Sequence, residues 1–437
     1  MTIRFQNLRL KLSGTFWFVP SLMTFAAFLL SFAMIAVDEA TDADFISELG
    51  WLYTNKPEGA REVLSTIAGS MITVAGVVFS ITIVALSLAS SQFGPRLLGN
   101  FMRDKGNQVV LGTFISTYFY CLLILRTIRS GDETQFVPHI SVAVGVLLAI
   151  CSLGVLIYFI HHVSESIQAS SIIQKVNNDL EAIIKQMYPE KDKQKPRKKL
   201  NSDYKLSHAI TASSNSVRSG YLQAADKDKL LSLAKKNNLV IEITARPGEY
   251  ILAGQQVATV HSQISCPINI LEEIADSFLF GIERSIEQDV LFPVNQLVEV
   301  ALRALSTSIN DPFTAISCLD KLTGGICFLL NRDVPDSFCA DEKGQIRIVA
   351  PPVLFPEVID SGFSQIRIFG KKNPKISMHL LHCFYQLSLR VNETENKQAL
   401  LHQTKLTFEE GIQHIADPKQ KEKFIDLYNK ILSELSS

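Results

Sequence analysis

Four hydroxyl residues recur every seven positions in one uncharged stretch of this chain: Thr66, Thr73, Ser80 and Ser87. A seven-residue repeat drifts by only about 20° per repeat on a straight helix, so these side chains form one nearly continuous stripe. Ser70 and Ser91 lie beside that line, and Gly69, Gly76 and Ser90 flank it. Alcohol groups aligned on a membrane helix do one of two things: they let helices pack closely, or they line a wet pathway in which their oxygens replace part of an ion's hydration shell. Val77 and Val84 fall on the same side and suit an apolar constriction that gates by dewetting. The other side carries Val74, Val78, Ile81, Ala85 and Leu88.

A second set of groups with chemical potential lies far along the chain: Arg284, Glu287, Asp289, Arg303, Asn310 and Asp311. Carboxylates in such a set suit acid–base work or a metal ion. The interleaved arginines point instead to ion pairing, because a cation opposes a metal. Asp311, followed by Pro312, reads as a helix cap with proline at the first helical position. No HExxH, GxSxG or phosphate-loop pattern occurs in the sequence. The cysteines (Cys121, Cys151, Cys266, Cys318, Cys327, Cys339 and Cys383) are odd in number and irregularly spaced. This argues against a disulfide framework and against structural zinc. The residues therefore lead to no catalytic, cofactor-binding or metal assignment and to a protein that is not an enzyme.

The elements that carry these groups follow from hydropathy. Charged residues are nearly absent from four long apolar stretches in the first 163 residues and frequent afterwards. The spans read as Phe16–Val37, Thr66–Ser91, Val109–Ile128 and Pro138–His162. Each can cross a hydrocarbon core of about 30 Å. The first apolar run is too long for a signal-peptide core and lacks a small-residue cleavage site, so it reads as a retained span. Thr113, Ser116, Thr117, Tyr118 and Tyr120 make the third span polar, and Gly145 and Gly154 suit close packing in the fourth. No Asp, Glu or Lys lies in mid-span, which disfavours a proton-coupled transporter. His161 and His162, at the inner end of the fourth span, read as an interfacial anchor pair.

Lys and Arg fall on the amino-terminal segment, on the second loop and after the fourth span, which orients both termini toward the cytosol. A first loop, residues 38–65, is acidic and contains a short interfacial helix from Phe45 to Tyr53. The fourth span reads as running on into a stalk that ends at Pro189, with an apolar face for copies of itself or for the next domain. A basic linker, residues 190–205, follows. The net charge of −1 gives no footing for nucleic acid.

The organisation expected is a four-helix transmembrane domain (1–163), a helical stalk and basic linker (164–205), a small β-rich unit (206–268) and a mainly helical cytosolic domain (269–437). Strands are expected at Ser216–Gln223, Leu239–Ala245, Tyr250–Leu252 and Gln256–Val260, with a helix over Asp226–Asn238. The run RPGEYILAGQQVATV resembles the turn pattern of biotinyl and lipoyl carrier barrels, without their modified lysine, so it implies a barrel-sandwich fold without the cofactor. Helices are expected over Ile270–Glu283 and Pro293–Ser306, and a strand over Gln345–Ala350.

The stretch from Ser285 to Leu322 carries a broader resemblance. It contains Glu287, Gln288, Asp289 and Phe292, then Gln296, Leu297 and Val298, then ALRALS at 301–306, then Ile309–Pro312 with Thr314 and Ala315. These residues resemble the motif of a bacterial family of predicted membrane proteins, domain of unknown function two-two-five-four. Val290 and Thr307 stand where that family commonly has proline. LGTFISTYFYCLLILR and SGYLQAADKDKLLSLAKK also look like it, so the resemblance covers nearly the whole chain. It implies a multi-span membrane domain and a cytosolic domain, with no activity to carry over.

The functions that follow are two. One is a homo-oligomeric channel for an inorganic ion, its pore lined by the second span through Thr66, Ser70, Thr73, Val77, Ser80, Val84, Ser87 and Ser91. The other is a membrane-anchored scaffold or sensor in which the same stripe only packs helices. The lipid bilayer and copies of the chain are the expected partners.

Overall fold

The computed structural model describes residues 15, 17–41, 57–94, 104–131, 134–191 and 210–436. The interfacial helix expected at Phe45–Tyr53, the basic residues Arg4, Arg9, Lys11, Arg96 and Arg103, and all of the basic linker beyond residue 191 lie outside the described residues. Contacts divide the chain into two compact units, Met1–Ser171 and Ile172–Ser437.

The first unit is built on four helices: α1 (Phe18–Ala40), α2 (Pro57–Phe93), α3 (Lys105–Thr127) and α4 (His139–Ser166), with a small hairpin, β1 (Arg129–Gly131) and β2 (Thr134–Phe136), between the last two. At about 1.5 Å per residue, the 37 residues of α2 extend well beyond the thickness of a hydrocarbon core. α2 starts at Pro57, so part of the acidic stretch expected as loop is its first turns; proline at a helix's first position lacks only an N–H that would be unpaired anyway.

α3 is the central helix, packed by α1, α2 and α4, and its polar residues find partners there. The Thr117 and Ser152 hydroxyls lie 3.1 Å apart, and Tyr120 donates to the Ser141 carbonyl at 3.0 Å. The polarity of this span is thus bundle interior, where hydroxyls bond between helices. Asp38, at the end of α1, is buried and caps α4: its carboxylate accepts from the Ile140 and Ser141 amides at 2.8 and 2.9 Å. Gly145 packs as expected, since a Cβ there would meet Leu64 at 3.1 Å, whereas Gly154 faces open space.

The second unit begins with α5 (Ala169–Met187), whose first turn reaches back across the boundary. The expected continuous stalk is broken: α4 stops at Ser166, and the chain turns at Ile167–Gln168. Ser164 and Ser166 each donate to the carbonyl four residues back, a bond that loosens the helix ladder there. Ile172, Ile173, Val176, Leu180, Ile183 and Ile184 of α5 are buried within the second unit. Of the two expected uses of this apolar face, packing on its own domain is the one observed.

The sheet elements are β3 (Ile210–Asn215), β4 (Gly220–Ala225), α6 (Lys227–Asn237), β5 (Val240–Ile243), β6 (Tyr250–Ile251), β7 (Gln256–Ser262), α7 (Ile268–Ala275) and β8 (Phe278–Gly281). The helical chain beyond contains α8 (Leu291–Ala304), α9 (Pro312–Leu330), β9 (Phe338–Ala340), β10 (Ile346–Val349), α10 (Phe355–Gly370), α11 (Pro374–Ser388), α12 (Thr394–Gly411) and α13 (Pro418–Ser436). One sheet has the order β3-β7-β5-β10-β9 and the other β6-β4-β8. Both contribute to one apolar core: Leu222, Ile251 and Phe278 from the smaller sheet meet Ile241, Val257, Val260 and Ile348 from the larger.

Three differences from expectation follow from long-range pairing. The strand expected at Ser216–Gln223 starts only at Gly220, as β4; residues 216–219 are a bend, and the strand before it, β3, is not among those expected. The helix expected over Ile270–Glu283 ends at Ala275, and Phe278–Gly281 pairs with β4 instead. β10 joins the larger sheet parallel to β5, so the sheets draw strands from beyond the expected boundary at 268. The glycine turns are as expected: Gly248 has φ +96° and Gly254 φ +83°, where side chains are disfavoured.

Among the described residues five helices are long and apolar enough to cross a membrane: α1, α2, α3, α4 and also α9. The fifth, α9, exceeds the four spans expected from sequence; it packs with α8, α10 and α11 of its own unit, and burial among helices asks for the same apolar composition as lipid.

Candidate functional site

α2 has two unlike faces. Leu64, Ala68, Ala75, Val78, Ala85 and Ala89 are buried and recur at heptad spacing. They pack on Tyr120, Cys121 and Ile124 of α3 at one end and on Val110 and Phe114 of α3 with Phe159 of α4 at the other. Small alanines let the backbones approach. Val78 and Ala85 of the apolar side read from sequence are in this face, Val74 is half-buried, and Ile81 and Leu88 are exposed.

The hydroxyl stripe lies opposite. Thr66, Ser70, Thr73, Val77, Ser80, Val84, Ser87 and Ser91 are all exposed. At about 100° per residue they centre some 180° from the alanine face. A Cβ at Gly69 or Gly76 would meet nothing within 4 Å. Among the described residues the stripe therefore faces away from the packing of its own bundle. Ser70, Thr73 and Ser80 donate to the carbonyls of Thr66, Gly69 and Gly76 at 2.7, 2.8 and 2.9 Å. Their hydrogens are thus committed to the helix, and what faces outward is the lone-pair side of each oxygen.

The other outer faces of the unit differ. α1 exposes Leu22, Phe25, Leu29 and Phe32, and α4 exposes Leu147, Ile150, Leu153 and Ile157. Those are surfaces for acyl chains. The outward face of α2 interrupts its bulky residues with alcohols and bare glycine.

At one end of the bundle, His162 of α4 lies 3.0 Å from the Asp104 carboxylate, which also accepts from the Gly106 amide at the start of α3. His161 is exposed and sits 3.3 Å from Glu165 on the same helix. The two histidines, read together from sequence, thus have separate partners.

The polar set of the second unit resolves into local devices. Arg284 grips Asp289 through Nε and Nη2 at 2.9 and 2.7 Å, and the other carboxylate oxygen accepts from the Leu291 amide at 3.1 Å, at the start of α8. Gln288 clamps the backbone of Ala225 from both its donor and its acceptor side, at 3.2 and 3.1 Å. The Glu287 carbonyl accepts from Gln186 of α5. Arg303 lies 3.7 Å from Glu299, one turn back on α8. Asn310 takes φ +48°, and Asp311 caps α9 through the amides of Phe313 and Thr314 and the Thr314 hydroxyl. The structure joins Arg284 to Asp289, while Asp311 serves its own helix. The Gln288 clamp carries no signal in sequence, because its partner is a main-chain group 63 residues away.

The Thr314 hydroxyl bond, opposed by partial burial and aided by the two amides, holds the Asp311 carboxyl below the ordinary carboxylate value. A lowered carboxyl stabilises the fold above the unfolded value of about 3.9, and that contribution fades as pH falls through the lower folded value. Asp311→Ala is expected to cost about 1 kcal/mol of stability at neutral pH, the usual loss for a cap, and to flatten the acid limb of the stability profile. Thermal melts of both proteins from pH 7 down to 3 check this.

Comparison with known proteins follows the same outline. A family model described as "Predicted membrane protein (DUF2254)" matches residues 13–386. Uncharacterised proteins of Mycobacterium bovis and Mycobacterium tuberculosis are each 30% identical to this chain over 420 residues, covering 94% of it and 78% of the relative. No solved structure matches.

Proposed function

This chain belongs to the DUF2254 family of predicted membrane proteins, and we propose that it is a bacterial inner-membrane protein whose copies assemble into an ion-conducting pore lined by α2. In this reading α1–α4 span the bilayer, α9 is a core helix of the second unit, both termini are cytosolic, and the two sheets form a barrel-sandwich-like module that holds the assembly. The protein conducts and has no catalytic role.

The observation that carries this reading is the orientation of the stripe on α2. Six alcohols point away from the chain's own bundle, beside glycines that no described residue covers. A second copy that placed the same stripe around a common axis would bring these oxygens to an aqueous path, with Val77 and Val84 as apolar rings. Oxygens whose hydrogens are bonded to the helix offer lone pairs, which suit water and cations.

A second reading is a membrane-anchored scaffold or sensor. It is favoured by the same back-bonds: a hydroxyl that donates to its own helix needs no water and can rest against lipid or another helix. Purified protein in liposomes separates the two. The pore reading expects ion flux that falls about tenfold or more in Thr73→Leu and Ser80→Leu, since each added apolar ring narrows and dries the path. Flux equal to that of protein-free vesicles, or flux unchanged by both substitutions, supports the scaffold.

A further inference from the structure

We propose that Asp320, His379 and Cys383 form a binding site for one zinc-class transition-metal ion, a role outside the pore reading and independent of it. Asp320 is on α9, and His379 and Cys383 are four residues apart on α11, which packs against α9. The i, i+4 spacing puts the imidazole and the thiol on one face. His379 Nε2 is 2.7 Å from Asp320 Oδ1, and the three donor atoms all lie within 4.8 Å of one another. Metal bonds of about 2.0–2.3 Å in a tetrahedron keep donors roughly 3.3–3.7 Å apart, so modest side-chain rotations convert this cluster into a coordination set.

Two features favour an ion over a plain surface hydrogen bond above a core thiol. Cys383 Sγ has weak partners: a long contact, 4.0 Å, to the Leu319 carbonyl, and the neighbouring Thr323 hydroxyl, whose own hydrogen goes to that carbonyl at 2.7 Å. The thiol thus gains little where it sits. Asp320 has His379 as its hydrogen-bond partner and, among the described residues, no Lys or Arg bridging to it. A carboxylate and a thiolate together match a divalent charge.

The donor set selects the class of ion. Thiolate, imidazole and carboxylate suit zinc, cobalt and copper and disfavour magnesium and calcium, which want oxygen. Cys383 is buried while the Asp320 side chain is 58% exposed. Three protein donors with one wet side leave a fourth position for water. Binding would deprotonate the thiol, releasing its proton to solvent, and would tie α9 to α11. The sequence hides the site because Asp320 is remote in the chain and the histidine and cysteine are spaced by helix geometry alone.

The test uses the full-length protein in detergent, freed of metal with a chelator and titrated with cobalt(II). The expected result is one equivalent bound per chain, with an intense near-ultraviolet thiolate-to-cobalt band that zinc abolishes. Asp320→Asn and His379→Gln should weaken binding about 10- to 100-fold or more, since even outer-shell losses reach that range. Cys383→Ser should remove the band and Cys339→Ser, an exposed thiol elsewhere, should keep it. If the buried Cys383→Ser variant does not fold, the exposed Asp320→Asn decides. No saturable binding, or binding equal in Asp320→Asn and His379→Gln, overturns the proposal.

Discussion

Asp289→Ala is expected to destabilise the second unit by about 3–5 kcal/mol, the loss typical of removing one partner from a buried ion pair. The Asp289 side chain is 3% exposed and that of Arg284 19%. Removing the carboxylate leaves a guanidinium in a largely dry place and the Leu291 amide without its acceptor. Arg284 also stacks over Phe292, 5.6 Å from the ring centre, so it cannot leave for solvent without losing that contact. Burial pushes the Asp289 carboxyl above its ordinary value, and Arg284 and the backbone amides only partly offset this. A carboxyl raised in the folded state is better protonated there than in the unfolded chain. Its contribution to stability is therefore fullest below about pH 4 and declines as pH rises through the raised folded value. The pair as a whole is thus no large source of stability at neutral pH, whereas breaking it is costly. The double variant Arg284→Met with Asp289→Leu should recover most of what Asp289→Ala loses. Melting of the full-length proteins, with hydrogen exchange across residues 281–292, checks both statements.

Gly248→Ala carries the second large effect, and its contrast with Gly254→Ala isolates the cause. Both glycines have positive φ, so each substitution incurs about 1–2 kcal/mol of backbone strain. At Gly254 that is all, because a Cβ there meets nothing within 4 Å. At Gly248 the Cβ would run into the Asp289 carboxylate and come 3.0 Å from Arg284 Nη2. The pair described above must then move or break. The expected loss is about 3–5 kcal/mol for Gly248→Ala against about 1–2 for Gly254→Ala. Because the two changes act on one contact, Gly248→Ala combined with Asp289→Ala should cost clearly less than the sum. An additive double variant would contradict the clasp between the 246–249 turn and the 284–289 segment.

Much of this architecture can be read along the chain. The apolar runs give the membrane helices because hydrocarbon tolerates little else, and the hydroxyl heptad stands out because the span carries no charge and is mostly aliphatic. Gly248, Gly254 and the Asp311–Pro312 start of α9 are local chemistry, legible from a few residues. What escaped has long-range causes. β8 reads as helix until β4 is there to pair with it, and β10 belongs beside β5 only once the sheet has formed. α9 combines the composition of a span with packing on α8, α10 and α11, because a protein core and a bilayer make the same demand on composition. The packed face of α2 was partly legible: its alanines repeat at heptad spacing, yet which side meets α3 depends on α3 itself. For the polar set, the sequence named Arg284 and Asp289 and could not show that Asp311 works alone.

The claim at the centre of this account is that the alcohol face of α2 meets copies of itself around water. Single cysteines along α2, in a background with Cys121 and Cys151 replaced by serine, test it most directly. Thr73→Cys, Ser80→Cys and Ser87→Cys should react with a charged, membrane-impermeant thiol reagent and cross-link between chains on mild oxidation. Ala75→Cys and Val78→Cys, on the packed face, should do neither. Stripe cysteines that ignore the aqueous reagent, label from the lipid phase and leave the chain uncross-linked would contradict the pore.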